Sequence, residues 1–456
     1  MSIDTVAKDL RGSILHKGIT EVSVRKLRLA ALKKAILKYE LSINQALKDD
    51  LGKSAFETYA TEIGFMLEEI NYTLKNIDNW SSVKKVKTPL TLFPGKSYIH
   101  PEPYGVVLII SPWNYPFQLC LSPFVGAFAA GNRVVLKPSE YAPQTAAIIK
   151  KIISEVFTEE EATVVEGGLE ETQSLLSQKF DYIFFTGSTA VGKIIMKAAS
   201  EHLTPVTLEL GGKSPCLIEE TANLDIAAKR IAWGKFLNAG QTCVAPDYVV
   251  VPEHLQDKFI EKLKSNLRSF YTDNIKSSAD YPRIVNNKHF DRLKSLLIED
   301  KIAVGGELHR DENFISPTIM KNVSWTDKIM EDEIFGPILP VIPYKNLDQA
   351  VQSILSYPKP LAFYVFSENP TKQKELISKI PFGGGCVNDT VVHLANPNLP
   401  FGGVGTSGIG SYHGQKSFDT FTHYKSLFKQ GSLVDIPLRY PPYNESKLNW
   451  IKLFLR

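Results

Sequence analysis

The chain has 456 residues, 43% of them hydrophobic and 22% charged, with a formal net charge of +3. That length exceeds one hydrophobic core and suggests two or three domains, while the near-neutral balance gives no electrostatic reason to expect nucleic acid as a partner. The opening Met1-Ser2-Ile3-Asp4-Thr5 lacks the apolar stretch of a signal peptide, and no apolar run reaches the ~18 residues a membrane helix needs.

Apolar residues at helical spacing predict a helix over residues 23–51, ended by Gly52, with Leu27, Leu32, Ile36, Leu41 and Leu47 on its apolar face. Another is predicted over residues 55–80, and the Pro-, Lys- and aromatic-rich residues 86–103 read as an exposed hairpin or arm. Predicted strands at residues 106–110, 133–136, 163–165, 182–186 and 206–208 then alternate with helices at 117–130, 145–156, 169–176 and 189–202. A second series has strands at 215–218, 248–251 and 361–366, with helices at 224–238, 255–270, 289–298 and 372–380. It ends in glycine-rich loops at residues 382–385 and 401–405. This rhythm predicts an α/β protein of two stacked, doubly wound domains, meeting near residues 211–214. Ligands in such folds bind at the carboxyl ends of strands.

Four cysteines, Cys120, Cys216, Cys243 and Cys386, contain no Cys-x-x-Cys pair. That argues against a zinc site or a disulfide framework and favours a reducing compartment, so no metal and a cytoplasmic location are expected. Cys243 stands apart, in Gly240-Gln241-Thr242-Cys243 at a helix-to-strand corner among small residues. A thiol there can be reached by a substrate, whereas an ordinary cysteine is a small buried hydrophobe. Upstream, Glu209 sits in Leu208-Glu209-Leu210-Gly211-Gly212-Lys213. A carboxylate in apolar surroundings has its pKa raised, which suits a general base. Cys120, Cys216 and Cys386 read as packing residues, with Cys386 beside a glycine loop.

Four further segments fall at element ends. Phe185-Thr186-Gly187-Ser188 opens a helix containing Gly192, and N–H groups at a helix start suit a pyrophosphate, although the G-x-x-x-x-G spacing also fits a structural turn. Lys137 and Glu140, in Lys137-Pro138-Ser139-Glu140, suit ribose hydroxyls or form a solvated charged turn. Asn114, in Pro112-Trp113-Asn114-Tyr115-Pro116, offers an amide to an oxyanion or caps the next helix. Glu333 and Phe335, alternating on a short extended piece of Glu333-Ile334-Phe335-Gly336-Pro337, suit a ribose and a flat ring, or form a surface turn.

Together these segments resemble the aldehyde dehydrogenase superfamily, from about the first helix to Phe428. The Cys243 and Glu209 segments are its most specific motifs, and Pro400-Phe401-Gly402-Gly403-Val404 supports them. Ala245-Pro246-Asp247-Tyr248, Arg439-Tyr440-Pro441-Pro442-Tyr443 and the short N-terminus resemble the class 3 branch of fatty and aromatic aldehyde dehydrogenases. The resemblance implies NAD(P)-dependent oxidation of an aldehyde to its acid. Cys243 is then the nucleophile that forms the thiohemiacetal and thioester, Glu209 the base for hydrolysis, and Asn114 the oxyanion donor with the Cys243 N–H. Lys137, Glu140, Gly187, Ser188, Gly192, Glu333 and Phe335 would bind the cofactor. Glu140 repels a 2′-phosphate, which favours NAD, while Lys137 leaves NADP open. The implied division is residues 1–81 and 104–210 for the cofactor, 211–405 for catalysis, 82–103 and 406–429 for an oligomerisation arm, and 430–456 for a tail. A homodimer is implied, and the aldehyde is expected to be aromatic or medium- to long-chain aliphatic, with Tyr115 and Trp233 as tunnel candidates.

Two other readings stay open on the sequence. A CoA-acylating relative would pass the acyl group to a thiol, which the intact Glu209 motif opposes. A binding protein on the same fold would not need nucleophile, base and amide together. The basic, apolar residues 447–456 read as a helix against a membrane surface, the substrate entrance or a partner subunit.

Overall fold

The computed structural model describes residues 2–455, so Met1 and the Arg456 of the expected tail lie outside the described residues. Two sheets organise the chain. In spatial order the first runs Gly408–Ile409, Val206–Leu210, Tyr182–Gly187, Val106–Ile110, Arg133–Lys137 and Ala162–Val164. All its pairs are parallel except that of Gly408–Ile409 with Val206–Leu210. The chain starts in the middle, winds out to one edge, returns and winds out to the other. Every residue of Val106–Ile110 is buried, as a strand covered by helices on both faces requires. Ile110 stands opposite both Lys137 and Phe185, and Thr186 opposite Glu209. Parallel register thus gathers these motifs along one carboxyl edge.

The second sheet runs Ile302–Val304, Thr318–Met320, Ile338–Tyr344, Tyr248–Pro252, Pro215–Ile218, Ala362–Phe366 and Gly384–Val387. Only its first pair is antiparallel. One continuous apolar cluster runs through both sheets. The expected α/β architecture of two doubly wound sheets is present.

Several local expectations are corrected. Residues 23–51 form two helices, Val22–Lys38 and Glu40–Leu51, that meet at Tyr39. Leu27 and Leu41 are 71% and 84% exposed, whereas Leu32, Ile36 and Leu47 are fully buried. Leu27 shares a helix with buried Leu32, and Leu41 with buried Leu47, so it is the five- and six-residue spacings that put the exposed leucines on other faces. A helix Val6–Lys17, unanticipated, buries Val6, Ala7 and Leu10 against Val106, Leu108 and Phe185 on the back of the first sheet. The helix expected over residues 55–80 contains a π-helical turn, Tyr59–Ile63, before Gly64–Trp80. The strands between Ile302 and Tyr344 were unforeseen: most are two or three residues long, and Ile338–Tyr344 carries Pro340 and Pro343, which argue against a strand by composition.

The hairpin reading of residues 86–103 corresponds to strands Lys84–Val86 and Lys96–Pro103, joined by Thr422–Lys429 in a separate antiparallel sheet. Residues 406–421 do not belong with it. Gly408–Ile409 edges the first sheet, and helix Gln415–Thr420 packs so closely on helix Pro116–Ala130 that a Cβ on Gly126 would meet Ser417 at 2.6 Å.

Candidate active site

A cavity of about 450 Å³ opens between the two sheets. Trp113, Asn114 and Tyr115 reach it from beyond Val106–Ile110, Thr186 to Ser188 from the end of Tyr182–Gly187, and Glu209 to Gly211 from the end of Val206–Leu210. Cys243, Glu333 and Phe335 come from the other side. Cys243 precedes strand Tyr248–Pro252, as its helix-to-strand corner implied, and Glu333 and Phe335 precede Ile338–Tyr344, so the expectation of carboxyl strand ends holds for the first sheet only. The first sheet contributes its carboxyl edge and the second its amino edge. Stacking the sheets in series makes the two edges face each other.

The segment before Cys243 is irregular. Asn238 and Ala239 have positive φ, 52° and 50°. Gly240, at φ 72°, lies where a Cβ would meet the Gly336 carbonyl at 2.3 Å. Only glycine allows that approach. Gln241 is buried, donates to the carbonyls of Asn238 and Arg283 at 3.0 Å each, and accepts from the Val285 N–H at 3.0 Å. Asn114 does not cap the next helix. Its Nδ2 donates to the Gln241 carbonyl at 3.0 Å, which leaves the second amide hydrogen available to a ligand in the cavity.

The electrostatics are acidic. Glu209 is 3% exposed, and neither of its carboxylate oxygens has a hydrogen-bond partner among the described residues. Burial pushes its pKa well above the usual carboxylate range. The Glu333 carboxyl is pushed up to about 8 by burial and by Asp247. The Cys243 thiol is pushed up to about 12 by burial, by Glu333 and by Glu209. This setting raises the thiol pKa and does not lower it. Burial thus raises the pKa of all three acids, and positive charge placed beside them would favour their ionised forms.

Glu333 closes on Gly211, where a Cβ would meet its Oε2 at 1.9 Å. Its loop is held from beneath. Lys213 Nζ donates to Asp247 Oδ2 at 2.6 Å and to the carbonyls of Ile329 and Asp332, and Asp247 Oδ1 accepts from the Ile334 N–H at 2.9 Å. Phe335 is not on an extended piece: its φ is 49°, and its ring meets Trp113 edge-on at 5.4 Å. A bulky residue in the left-handed region is strained, and such strain clusters at functional sites.

Gly187 and Ser188 line the cavity, and Ser188 caps helix Thr189–Ser200, its Oγ accepting from the Val191 N–H at 3.3 Å. Gly192 faces the sheet: a Cβ there would meet Leu210 at 2.7 Å, so it brings helix and strand together. Lys137 and Glu140 also lie outside the cavity lining. Lys137 is buried, donating to the carbonyls of Pro138 and Gly167, with its Nζ 3.9 Å from the exposed Glu140 carboxylate. Both stay on the carboxyl edge of the first sheet, one strand beyond Val106–Ile110.

The opposite wall is apolar and aromatic. Tyr115 and Trp233, the tunnel candidates, are joined there by Phe65, Leu237, Phe401 and His413. Of these only Phe401 carried a sequence signal, through its glycine-rich motif. No described residue of the tail lines the cavity. Cys386 also stays outside the lining, its Sγ 3.6 Å from His393 Nδ1.

Compared with known proteins, the aldehyde dehydrogenase family model matches residues 18–427. This chain belongs to the aldehyde dehydrogenase family. It is an oxidoreductase acting on aldehydes, and it resembles the class 3 members. It is 52% identical to the 4,4'-diaponeurosporen-aldehyde dehydrogenase of Staphylococcus aureus, over 96% of this chain and 95% of that one. It is 48% identical to aldehyde dehydrogenase family 3 member A2 of Macaca fascicularis, over 94% and 89%. The dimeric NADP-preferring aldehyde dehydrogenase of Rattus norvegicus is 45% identical, over 97% and 98%. Among solved structures, substrate-bound Staphylococcus aureus AldH superposes with a TM-score of 0.98 at 50% identity, each chain fully covered. A Mycobacterium tuberculosis aldehyde dehydrogenase complexed with NAD+ gives 0.84 at 27% identity, over 95% and 90%.

Proposed function

We propose that this aldehyde dehydrogenase oxidises aromatic or medium- to long-chain aliphatic aldehydes to carboxylic acids, with NAD(P) as cofactor and through a thioester on Cys243. The observation that carries the reading is the convergence of Cys243, Glu209 and Asn114 on one cavity with an apolar far wall. The cofactor fits the residues present: a helix start at Ser188 for a pyrophosphate, Glu333 for a ribose, and an acidic pocket that favours a cationic ring. Relatives point the same way, one named as NADP-preferring and another complexed with NAD+. Bound there, the oxidised nicotinamide supplies a positive charge and accepts a hydride.

The residues of the chain do the remaining work. Cys243 Sγ bonds to the carbonyl carbon, the C=O π pair moves to oxygen, and the thiol proton passes to water. Asn114 Nδ2 and the Cys243 N–H hold the oxyanion, a contribution of about 3 kcal/mol per donor. Loss of hydride from that carbon leaves a thioester. Glu209 takes a proton from water as the oxygen attacks, the C–S bond breaks, and acid and thiol are released. Glu209 thus supports hydrolysis over transfer to a second thiol.

Profiling kcat/KM over an aldehyde panel tests the reading. Aromatic and longer aliphatic aldehydes are expected to exceed short charged ones by at least about tenfold, since each buried methylene adds to transition-state binding. NAD is expected to outperform NADP, because Glu140 opposes a 2′-phosphate. A preference for charged aldehydes, or acid formation that requires CoA, would overturn it.

The same reading includes a cytoplasmic homodimer. Thr422–Lys429 is the edge strand of the separate sheet, with Leu427 and Phe428 exposed, a place for a second copy to pair. The tail forms a helix, Glu445–Phe454, that exposes Leu448, Trp450 and Leu453. With Lys447 and Lys452 beside them, these support peripheral contact with anionic membranes. The full chain is expected to sediment with anionic liposomes more than a chain ending at Tyr443 does. Equal sedimentation removes the idea.

A further inference from the structure

A buried ion pair next to the cavity directs its remaining hydrogen bonds to a single segment. Lys53 and Glu62 are each fully buried at the side chain, with Nζ 2.5 Å from Oε1. The other Glu62 oxygen, Oε2, accepts from the N–H groups of Phe117 and Gln118 at 2.9 and 3.2 Å. These are first-turn donors of helix Pro116–Ala130, so Glu62 acts as the missing cap of that helix. Lys53 Nζ also donates to the Asn114 carbonyl at 3.1 Å and lies 4.0 Å from the centre of the Tyr115 ring. Among the described residues, the side-chain hydrogen bonds of the pair outside itself, and the Lys53 ring contact, fall within residues 114–118.

That segment carries the Asn114 amide, and two further links tie it to the nucleophile loop. Asn238 Nδ2 donates to the same Asn114 carbonyl at 2.7 Å and to the Gln241 carbonyl at 3.2 Å. Tyr115 Oη and Thr242 Oγ1 are hydrogen-bonded at 2.7 Å, one residue before Cys243. Glu62 itself comes from the π-helical turn Tyr59–Ile63, whose Ala60 and Thr61 line the cavity. A π turn costs regular hydrogen bonding and recurs where function needs it. Here one side of the turn faces the cavity while its next residue fixes the Asn114 segment.

A buried ion pair is a poor device for stability alone, because apolar side chains of similar volume often do as well. Its worth here lies in orientation. We propose that Lys53 and Glu62 are positioning residues for the reaction: they hold the backbone of Asn114 so that its amide meets the oxyanion beside Cys243. The proposal rests on the reading of Asn114 as the oxyanion donor.

A double-mutant cycle separates the two. Asn114→Ala alone is expected to lower kcat by about 100-fold or more, as removal of an oxyanion donor does. Lys53→Met is expected to lower kcat by about 10- to 100-fold, with both KM values within about threefold, because an interaction made in the transition state is lost. Alkylation of Cys243 by iodoacetamide should keep its rate, which a general collapse of the site would not allow. In the Asn114→Ala background, Lys53→Met should cost no more than about twofold further, since the two act through one amide. Lys53→Arg should recover part of the loss. If Lys53→Met fails to fold, Glu62→Gln runs through the same cycle, its side chain keeping an acceptor for the helix start. An undiminished Lys53→Met effect in the Asn114→Ala background, or a loss confined to KM, overturns the positioning role. Unchanged kcat in Asn114→Ala overturns the oxyanion reading instead.

Discussion

Cys243→Ala is expected to abolish NADH formation from aldehydes and leave the fold intact. Cys243 is only partly buried and packs at the margin of the apolar cluster. Removing one sulfur there costs about 1 kcal/mol of packing, so melting should stay within about 4 °C of the parent. Turnover should drop by at least about 10⁴-fold, because without the sulfur no covalent intermediate forms. The same variant should lose the one fast-reacting thiol. Cys120 and Cys216 are buried, and Cys386 is half-buried with its thiol pushed up to about 11. In the parent protein, alkylation of Cys243 should accelerate as pH rises, because burial and two acids push its thiol up to about 12. Adding NAD should speed it further at fixed pH, by placing a cation beside the sulfur. Near-normal turnover in Cys243→Ala would end the mechanism.

Glu209→Gln should separate the two halves of the reaction. A rapid burst of NADH is expected to survive, with steady-state turnover about 100- to 1,000-fold lower, the usual range for a lost general base. The buried Glu209 carboxyl is held protonated above the ordinary range, so the base form increases with pH. Parent turnover should therefore rise with pH above the ordinary carboxylate range, and the variant should lose that limb. Stability carries the same sign. In the folded chain Glu209 keeps a proton that the unfolded chain gives up above the ordinary carboxylate range, so its favourable contribution is complete at low pH and is lost as pH rises towards the raised value. Glutamine cannot ionise, and the variant should lose less stability at alkaline pH than the parent. If the burst disappears along with the steady state, Glu209 acts earlier than hydrolysis and its assigned role is wrong.

The acidic cavity makes the order of events physical. Three groups that resist ionisation, Cys243, Glu209 and Glu333, face a space large enough for a ring and an aldehyde. Each becomes a better nucleophile, base or ligand when positive charge arrives. Cofactor bound before the aldehyde is therefore expected to ease ionisation of all three.

The βαβ rhythm, the two sheets and the motif positions were legible in the chain because buried parallel strands are continuous apolar runs and their turns need glycines. Val106–Ile110 and Tyr248–Pro252 announce themselves in this way. The Cys243 and Glu209 segments stood out because a thiol and a carboxylate set among small residues and glycines are unusual in a chain. The rest depended on residues far apart in sequence meeting in space. No local pattern marks Lys53 and Glu62 as partners of the Asn114 segment, since Lys53 meets the carbonyl of Asn114 61 residues away. Nor does spacing reveal that Gly192 packs on Leu210, that helix Val6–Lys17 covers the first sheet, or that residues 406–421 leave the arm. The facing of one sheet's carboxyl edge on the other's amino edge is likewise a tertiary decision. Local periodicity records which side of each element is apolar, and only the packing of whole layers sets which edges meet and which charges are left without water.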